Sequence, residues 1–212
     1  MLALFVAVAL DLTIVDKPIP FDEERVRLTL EYRRAHQDPE AKDITIAPKV
    51  VVLHYTAGGS AEGTFRYLSR TRLEKGRKKL ARAGAVNVSA HFLVDRDGTV
   101  IRLMPETWMA RHTIGLNHVA IGVENVGDGK KYPLTDAQVE ANAQLVRYLA
   151  GRYELTHLIG HSESPRLAAH PYYVERDRTY ENAKGDPGAE FLARVREKVA
   201  DLRLEGPPAV AK

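Results

Sequence analysis

Three stretches of the chain are rich in apolar and β-branched residues. They are "KVVVLHY" at 49–55, "VAIGVEN" at 119–125 and "LTHLIGH" at 155–161. Runs of this length, bounded by glycines or polar turns, predict strands buried on both faces. A fourth region, "VSAHFLV" at 88–94, Asp97-Gly98 and "TVIRLM" at 99–104, carries the alternation and turn dipeptide of a β-hairpin. Between these lie segments with helical period. "PFDEERVRLTLEYRRAH" at 20–36 predicts a helix capped by Asp22, with Glu23 and Glu24 at the positive end of its dipole. Residues 61–83 read as a further helix. In "LTDAQVEANAQLVRYLAGRY" at 134–153, Thr135 and Gln138 form a capping box, and Ala141, Leu145, Tyr148 and Leu149 share one face. A last helix over 188–204 sets Leu192, Val195, Val199 and Leu202 in register. Strands and helices thus intermingle, and the hairpin makes part of the sheet antiparallel. The expected fold class is α/β, a single domain with a central mixed β-sheet flanked by helices.

Two of the buried strands end in histidine, His54 and His161. Ligand sites in such sheets gather at strand ends, and the two imidazoles meet if the strands are neighbours. A catalytic zinc takes three protein ligands and keeps one position for water. The chain has no cysteine, which excludes disulfides, thiolate ligands and a cysteine nucleophile. The third ligand is then His, Asp or Glu. Asp186, in "AKGDPGAEF" ahead of the last helix, is the candidate, and Lys184 two residues earlier points the same way in extended chain. Asp186 also reads as a helix N-cap, with His170 as the replacement ligand. Lys184 alone reads as a surface lysine. Glu124 lies late in an apolar strand, where an unpaired charge is costly. It suits a proton-transfer role with a raised pKa, and equally an edge-strand residue facing solvent.

"VVLHYTA", "VSAHFLVDRDGTVIRLMPE", "NHVAIGVENVG", "LIGHSE" and "KGDPG" occur in this order. Together they resemble the zinc-dependent N-acetylmuramoyl-L-alanine amidases, which include peptidoglycan-recognition proteins and amidase-type phage lysozymes, over residues 44–200. The resemblance implies Zn2+ on His54, His161 and Asp186, Glu124 as base for the attacking water, and Lys184 as oxyanion stabiliser. His112 and Asn117 match the family's pocket-facing region and are expected to contact substrate. His91 is expected to be a pocket-wall or structural histidine near the substrate. The implied reaction is hydrolysis of the amide between N-acetylmuramic acid and L-alanine of peptidoglycan or its fragments, the partner being peptidoglycan or a muropeptide. The alternative is a non-catalytic peptidoglycan-binding module of the same fold. Two features depart from the family pattern. Asp186 lies further beyond His161 than the usual third ligand, leaving a longer loop from Ser162 to Gly185. Ala90 stands before His91, where phage-type members place a tyrosine.

Composition narrows this little further. Apolar residues make up 44% and charged residues 28%, which excludes disorder, collagen and coiled coil. The net charge of +3 is too small and scattered to argue for nucleic acid. The densest basic run, "RLEKGRKKLARA" at 72–83, reads as a solvated helix face. The start, "MLALFVAVALDL", is too short to span a membrane. It resembles the apolar core of a secretory signal, with Ala7-Val8-Ala9 as cleavage site, though it lacks a positive n-region. The expected organisation is a signal or leader over 1–20, an amidase domain over 21–205 with a helical lead-in at 21–43, and a tail at 206–212. That places the protein in the periplasm or outside the cell, with cytoplasmic recycling of fragments as the alternative and an apolar N-terminal strand as the plain reading of the start.

Overall fold

A computed structural model describes residues 12–74, 76–181 and 184–209. The apolar start with Ala7-Val8-Ala9 lies outside the described residues. Six strands form one sheet: β1 (Ile14–Asp16), β2 (Val50–Tyr55), β3 (Phe92–Val94), β4 (Val100–Arg102), β5 (Ala120–Asn125) and β6 (His157–Gly160). Their order is β1-β4-β3-β5-β2-β6, and only the β3–β4 hairpin is antiparallel. The expected mixed sheet is therefore present, and β6 and β2 are neighbours as the two histidines require.

The pleat separates two functions. Val51 and Leu53 of β2, with Ile121 and Val123 of β5, pack beneath helices α4 (Asp136–Ala150) and α5 (Ala189–Lys198). The alternate residues Val50, Val52 and Ala120 point to the other face, against Leu116 and Leu167. His54 and Glu124 share the parity of Val52, and they pair in register across β2 and β5. Strand geometry thus puts both side chains on the face away from α4 and α5. The capping box of Thr135 and Gln138 forms as expected.

On the functional face lies α1 (Glu23–His36), capped by the Asp22 side chain on Arg25 N. It buries Arg25, Leu28, Thr29, Tyr32 and His36, one stripe of the helix. The helix expected over 61–83 is instead broken into α2 (Ala61–Leu68) and the short α3 (Lys78–Arg82). The cause is competition for backbone groups. The buried Arg25 guanidinium donates to the carbonyls of Leu68 and Arg70, which a continuous helix would use itself. Leu73 N donates to Ala85 O, and Asn87 N to Thr71 O, both at 2.9 Å. The last helix is also shorter than expected, ending at Lys198 before a 3-10 turn at Ala200–Leu202.

Candidate metal centre

His54 leaves the end of β2, and His161 begins the 3-10 turn His161–Leu167 directly after β6. Asp186 arrives from the far side of the loop. Its carbonyl accepts from Ser162 N at 2.9 Å, fastening it beside His161. Gly160 permits this approach: a Cβ there would lie 2.8 Å from Pro187 Cδ. The N-cap of α5 is Gly188, so Asp186 is not the helix cap.

The three side chains converge. His54 Nδ1 lies 3.0 Å from His161 Nδ1 and 3.1 Å from Asp186 Oδ2, and His161 Nδ1 lies 3.3 Å from the same oxygen. All three residues are buried. A tetrahedral ion with ligand bonds of about 2.0 Å spaces its ligand atoms about 3.3 Å apart. The cluster fits that spacing, and two imidazoles with a carboxylate are a zinc donor set.

Hydrogen bonds behind the cluster fix its protonation. His112 Nε2 faces the Ala120 carbonyl at 3.3 Å, an acceptor, so Nε2 carries the hydrogen. Neutral His112 then accepts at Nδ1, shared between Thr113 Oγ1–H at 2.8 Å and His54 Nε2–H at 3.0 Å. That leaves His54 Nδ1 with a free lone pair aimed at the cluster, the form a metal needs. Burial pushes the His54 imidazole down to about 4, so it is neutral at pH 7. Burial would raise the Asp186 carboxyl, but the His161 and His54 ring nitrogens beside its Oδ2 outweigh that and hold the group well below the usual carboxylate range.

Glu124 stands beside His54 on the central strand β5 rather than on an edge strand. Its Oε2 is buried and has no hydrogen-bond partner among the described residues. Burial, and next the Asp186 charge, push its carboxyl up to about 8, with Lys184 opposing. Both of its protonation states are thus accessible near neutral pH, as a group that takes and returns a proton requires. A cavity of about 750 Å³ opens over the cluster, lined by His54, Glu124, His161, Lys184, Asp186 and His112 among others.

His91, Asn117 and His112, expected near the substrate, are all hydrogen-bonded within the chain. His91 is fully buried, its Nε2 donating to Trp108 O at 2.8 Å and its Nδ1 accepting from Gly122 N at 3.0 Å. With both ring nitrogens spent on backbone, it is a structural histidine. Asn117 is buried as well. Its Oδ1 accepts from His112 N and Thr113 N, and its Nδ2 donates to the Tyr32 hydroxyl. It shapes the turn that carries His112. His112 does line the cavity, with its Nδ1 facing Thr113 Oγ1 and His54 Nε2. His170 packs against the rings of His157 and Tyr172, outside the cluster. Sequence reasoning missed the part of Arg111, which donates from beneath the cavity to the carbonyls of Leu80, Gly84 and Val86.

Comparison with known proteins agrees with this geometry. The family profile described as N-acetylmuramoyl-L-alanine amidase matches residues 45–189. The endolysin of Escherichia phage T7 is 34% identical over 98 residues, 44% of this chain and 65% of that protein. Peptidoglycan recognition protein 3 of Mus musculus is 26% identical over 140 residues, 65% of this chain and 39% of that protein. The chain thus spans less than two thirds of the length of either relative. Among solved structures, N-acetylmuramoyl-L-alanine amidase LysC from Clostridium intestinale URNW has a TM-score of 0.55 at 20% identity, over 89% of this chain and 97% of that one. At that identity the likeness is one of fold.

Proposed function

The chain belongs to the N-acetylmuramoyl-L-alanine amidase family, and on that premise we propose that it is a zinc-dependent hydrolase of the amide joining N-acetylmuramic acid to L-alanine in peptidoglycan or its fragments. The observation that carries the reading is the convergence of His54 Nδ1, His161 Nδ1 and Asp186 Oδ2 within 3.0–3.3 Å of one another beneath an open cavity.

Those three residues would hold the ion. Bound zinc supplies Lewis acidity toward the substrate carbonyl and lowers the pKa of water to about 7. Glu124, unpartnered and facing the same space, accepts the proton of the attacking water and returns it to the leaving amine. Lys184, exposed at the cavity wall, offers its ammonium to the oxyanion that develops on the carbonyl. His112 holds His54 in its ligating tautomer. No helix among the described residues is long and apolar enough to cross a membrane. We place the activity in the periplasm or outside the cell, in keeping with the endolysin and the peptidoglycan recognition protein among its relatives.

The test is zinc content of the purified chain together with peptide release from a muramoyl-pentapeptide, with and without chelator. One zinc per chain and chelator-sensitive release are expected. Glu124→Gln should keep the zinc and lose about 10²–10⁴-fold in turnover, whereas His54→Ala should lose the zinc. A wild-type chain that binds peptidoglycan but holds no metal and releases no peptide overturns the hydrolase in favour of a recognition module.

A further inference from the structure

Between residues 66 and 82 the chain carries eight lysines and arginines and one glutamate. This stretch has a net charge of +7, while the whole chain has +3, so everything else sums to −4. The molecule is therefore polarised, and the structure puts its positive end beside the candidate active site. Tyr67, Leu68, Glu74, Arg77 and Leu80 of this stretch line the cavity, so the excess of cations lies on its outer side. Arg66, Arg70, Arg72, Lys78, Lys79 and Arg82 are exposed and lie outside that lining.

The stretch is held in place rather than left as a loose solvated helix. Backbone pairing joins Thr71 and Leu73 to Asn87 and Ala85. Arg25 grips the carbonyls of Leu68 and Arg70 at one end, and Arg111 those of Leu80, Gly84 and Val86 at the other. The cations this fold presents are mostly uncompensated. Arg72 meets Glu24 at 2.6 Å and Arg70 approaches Glu74 at 3.9 Å. Arg66, Lys78, Lys79 and Arg82 make no ion pair among the described residues.

Exposed cations without ion-pair partners attract a polyanion, and arginine forks match phosphate oxygens. Five of the eight cations are arginines. Other anionic partners fit less well. Stacking on bases needs free aromatic faces, and the one aromatic ring inside the basic stretch, Tyr67, is already covered by Arg70 and Arg77. Insertion into a lipid surface needs exposed apolar side chains, and the only large one among the described residues is Val15. We propose that this wall of the cavity is a docking rim for a phosphodiester-bearing wall polymer standing beside the substrate. The inference rests on the amidase reading only in placing that polymer next to the peptide.

The experiment is co-sedimentation of the full chain with isolated cell walls carrying poly(glycerol phosphate), with the same walls stripped of it, and with phosphatidylglycerol vesicles. Two variants accompany the wild type, Lys78→Glu/Lys79→Glu/Arg82→Glu and the neutral Lys78→Gln/Lys79→Gln/Arg82→Gln. Thermal melts check that both fold. The wild type should bind phosphate-bearing walls at least about tenfold more tightly than stripped walls at low salt. Both variants, and about 0.5 M salt, should abolish that preference. Hydrolysis of a soluble muramoyl-tripeptide should stay within about twofold in the variants, because none of the three residues lines the cavity. Equal binding to bearing and stripped walls, variants that sediment like wild type, or vesicles binding as tightly as walls would each overturn the docking rim. Sedimentation requires no turnover, so failure of the amidase reading appears separately, as absent hydrolysis by the wild type.

Discussion

At Gly122 the difference between a hydrogen and a methyl group decides where His112 can lie. A Cβ built there would stand 2.7–2.9 Å from three atoms of the His112 ring. The ring cannot step aside freely, since Thr113 Oγ1 at 2.8 Å and His54 Nε2 at 3.0 Å hold its Nδ1. Gly122→Ala should therefore disturb His54 without touching any ligand. Loss of a hydrogen bond behind a metal ligand typically costs 10–100-fold in metal affinity, and crowding of this kind costs about 1–3 kcal/mol of stability. Titration against a competing chelator and a thermal melt would show both effects. Unchanged zinc affinity in a folded Gly122→Ala chain would detach His112 from the metal centre and return it to the role of a substrate contact.

Among the elements, the wall formed by α2, α3 and their connection depends on a side chain from elsewhere. The buried Arg111 guanidinium donates to Gly84 O at 3.0 Å, Val86 O at 2.6 Å, Leu80 O at 2.7 Å and the Tyr180 hydroxyl at 3.1 Å, while lying over the Tyr32 ring. Arg111→Met would leave the Gly84 and Val86 carbonyls without their donor, while Leu80 O keeps Ala83 N. A loss of about 3 kcal/mol in urea-unfolding free energy is expected, with zinc content unchanged. Arg111→Lys should recover only part, because an ammonium cannot fork to three carbonyls. A variant as stable as wild type would show the wall to be self-supporting. The same contact explains what the sequence could announce. Asp22, the Thr135–Gln138 box and the β3–β4 turn are local signals, set by neighbours within four residues, and all three form. His54 and His161 were legible because a continuous apolar run ending in histidine is local as well. The break at 69–77 was not, since it follows from carbonyls captured by Arg25 across more than forty positions of sequence. His112 and Asn117 sit on an irregular segment without periodicity, so nothing local indicated which hydrogen-bond partners they would find.

The whole molecule should record these buried groups in its stability. In chelator, so that metal release plays no part, burial lowers His54, His91 and His118 to about 4, and His112 and His157 shift in the same direction. The unfolded chain has these histidines near 6.5. Between about pH 4 and 6.5 it therefore binds more protons than the native state, and stability rises with pH across that window. Glu124 acts in the opposite sense. Its native carboxyl, raised to about 8, keeps a proton that the unfolded chain releases near 4.3. Its contribution is complete at low pH and is lost as pH climbs to about 8. Below 6.5 the several histidines outweigh the one glutamate. Above 6.5 the histidines are spent and Glu124 alone remains, at about 1.4 kcal/mol per pH unit. Asp186 does not blur the pattern, because its lowered carboxyl gives a contribution that fades only in strong acid. The metal-free chain should thus be most stable near pH 6.5 and lose roughly 2 kcal/mol by pH 8. Urea melts at pH 5, 6.5 and 8 would trace the curve, and Glu124→Gln should flatten its alkaline limb and steepen its acid limb. Stability that keeps rising to pH 8 in the wild type would mean that Glu124 is ionised in the metal-free fold, and would remove the raised carboxyl from the argument for its role as base.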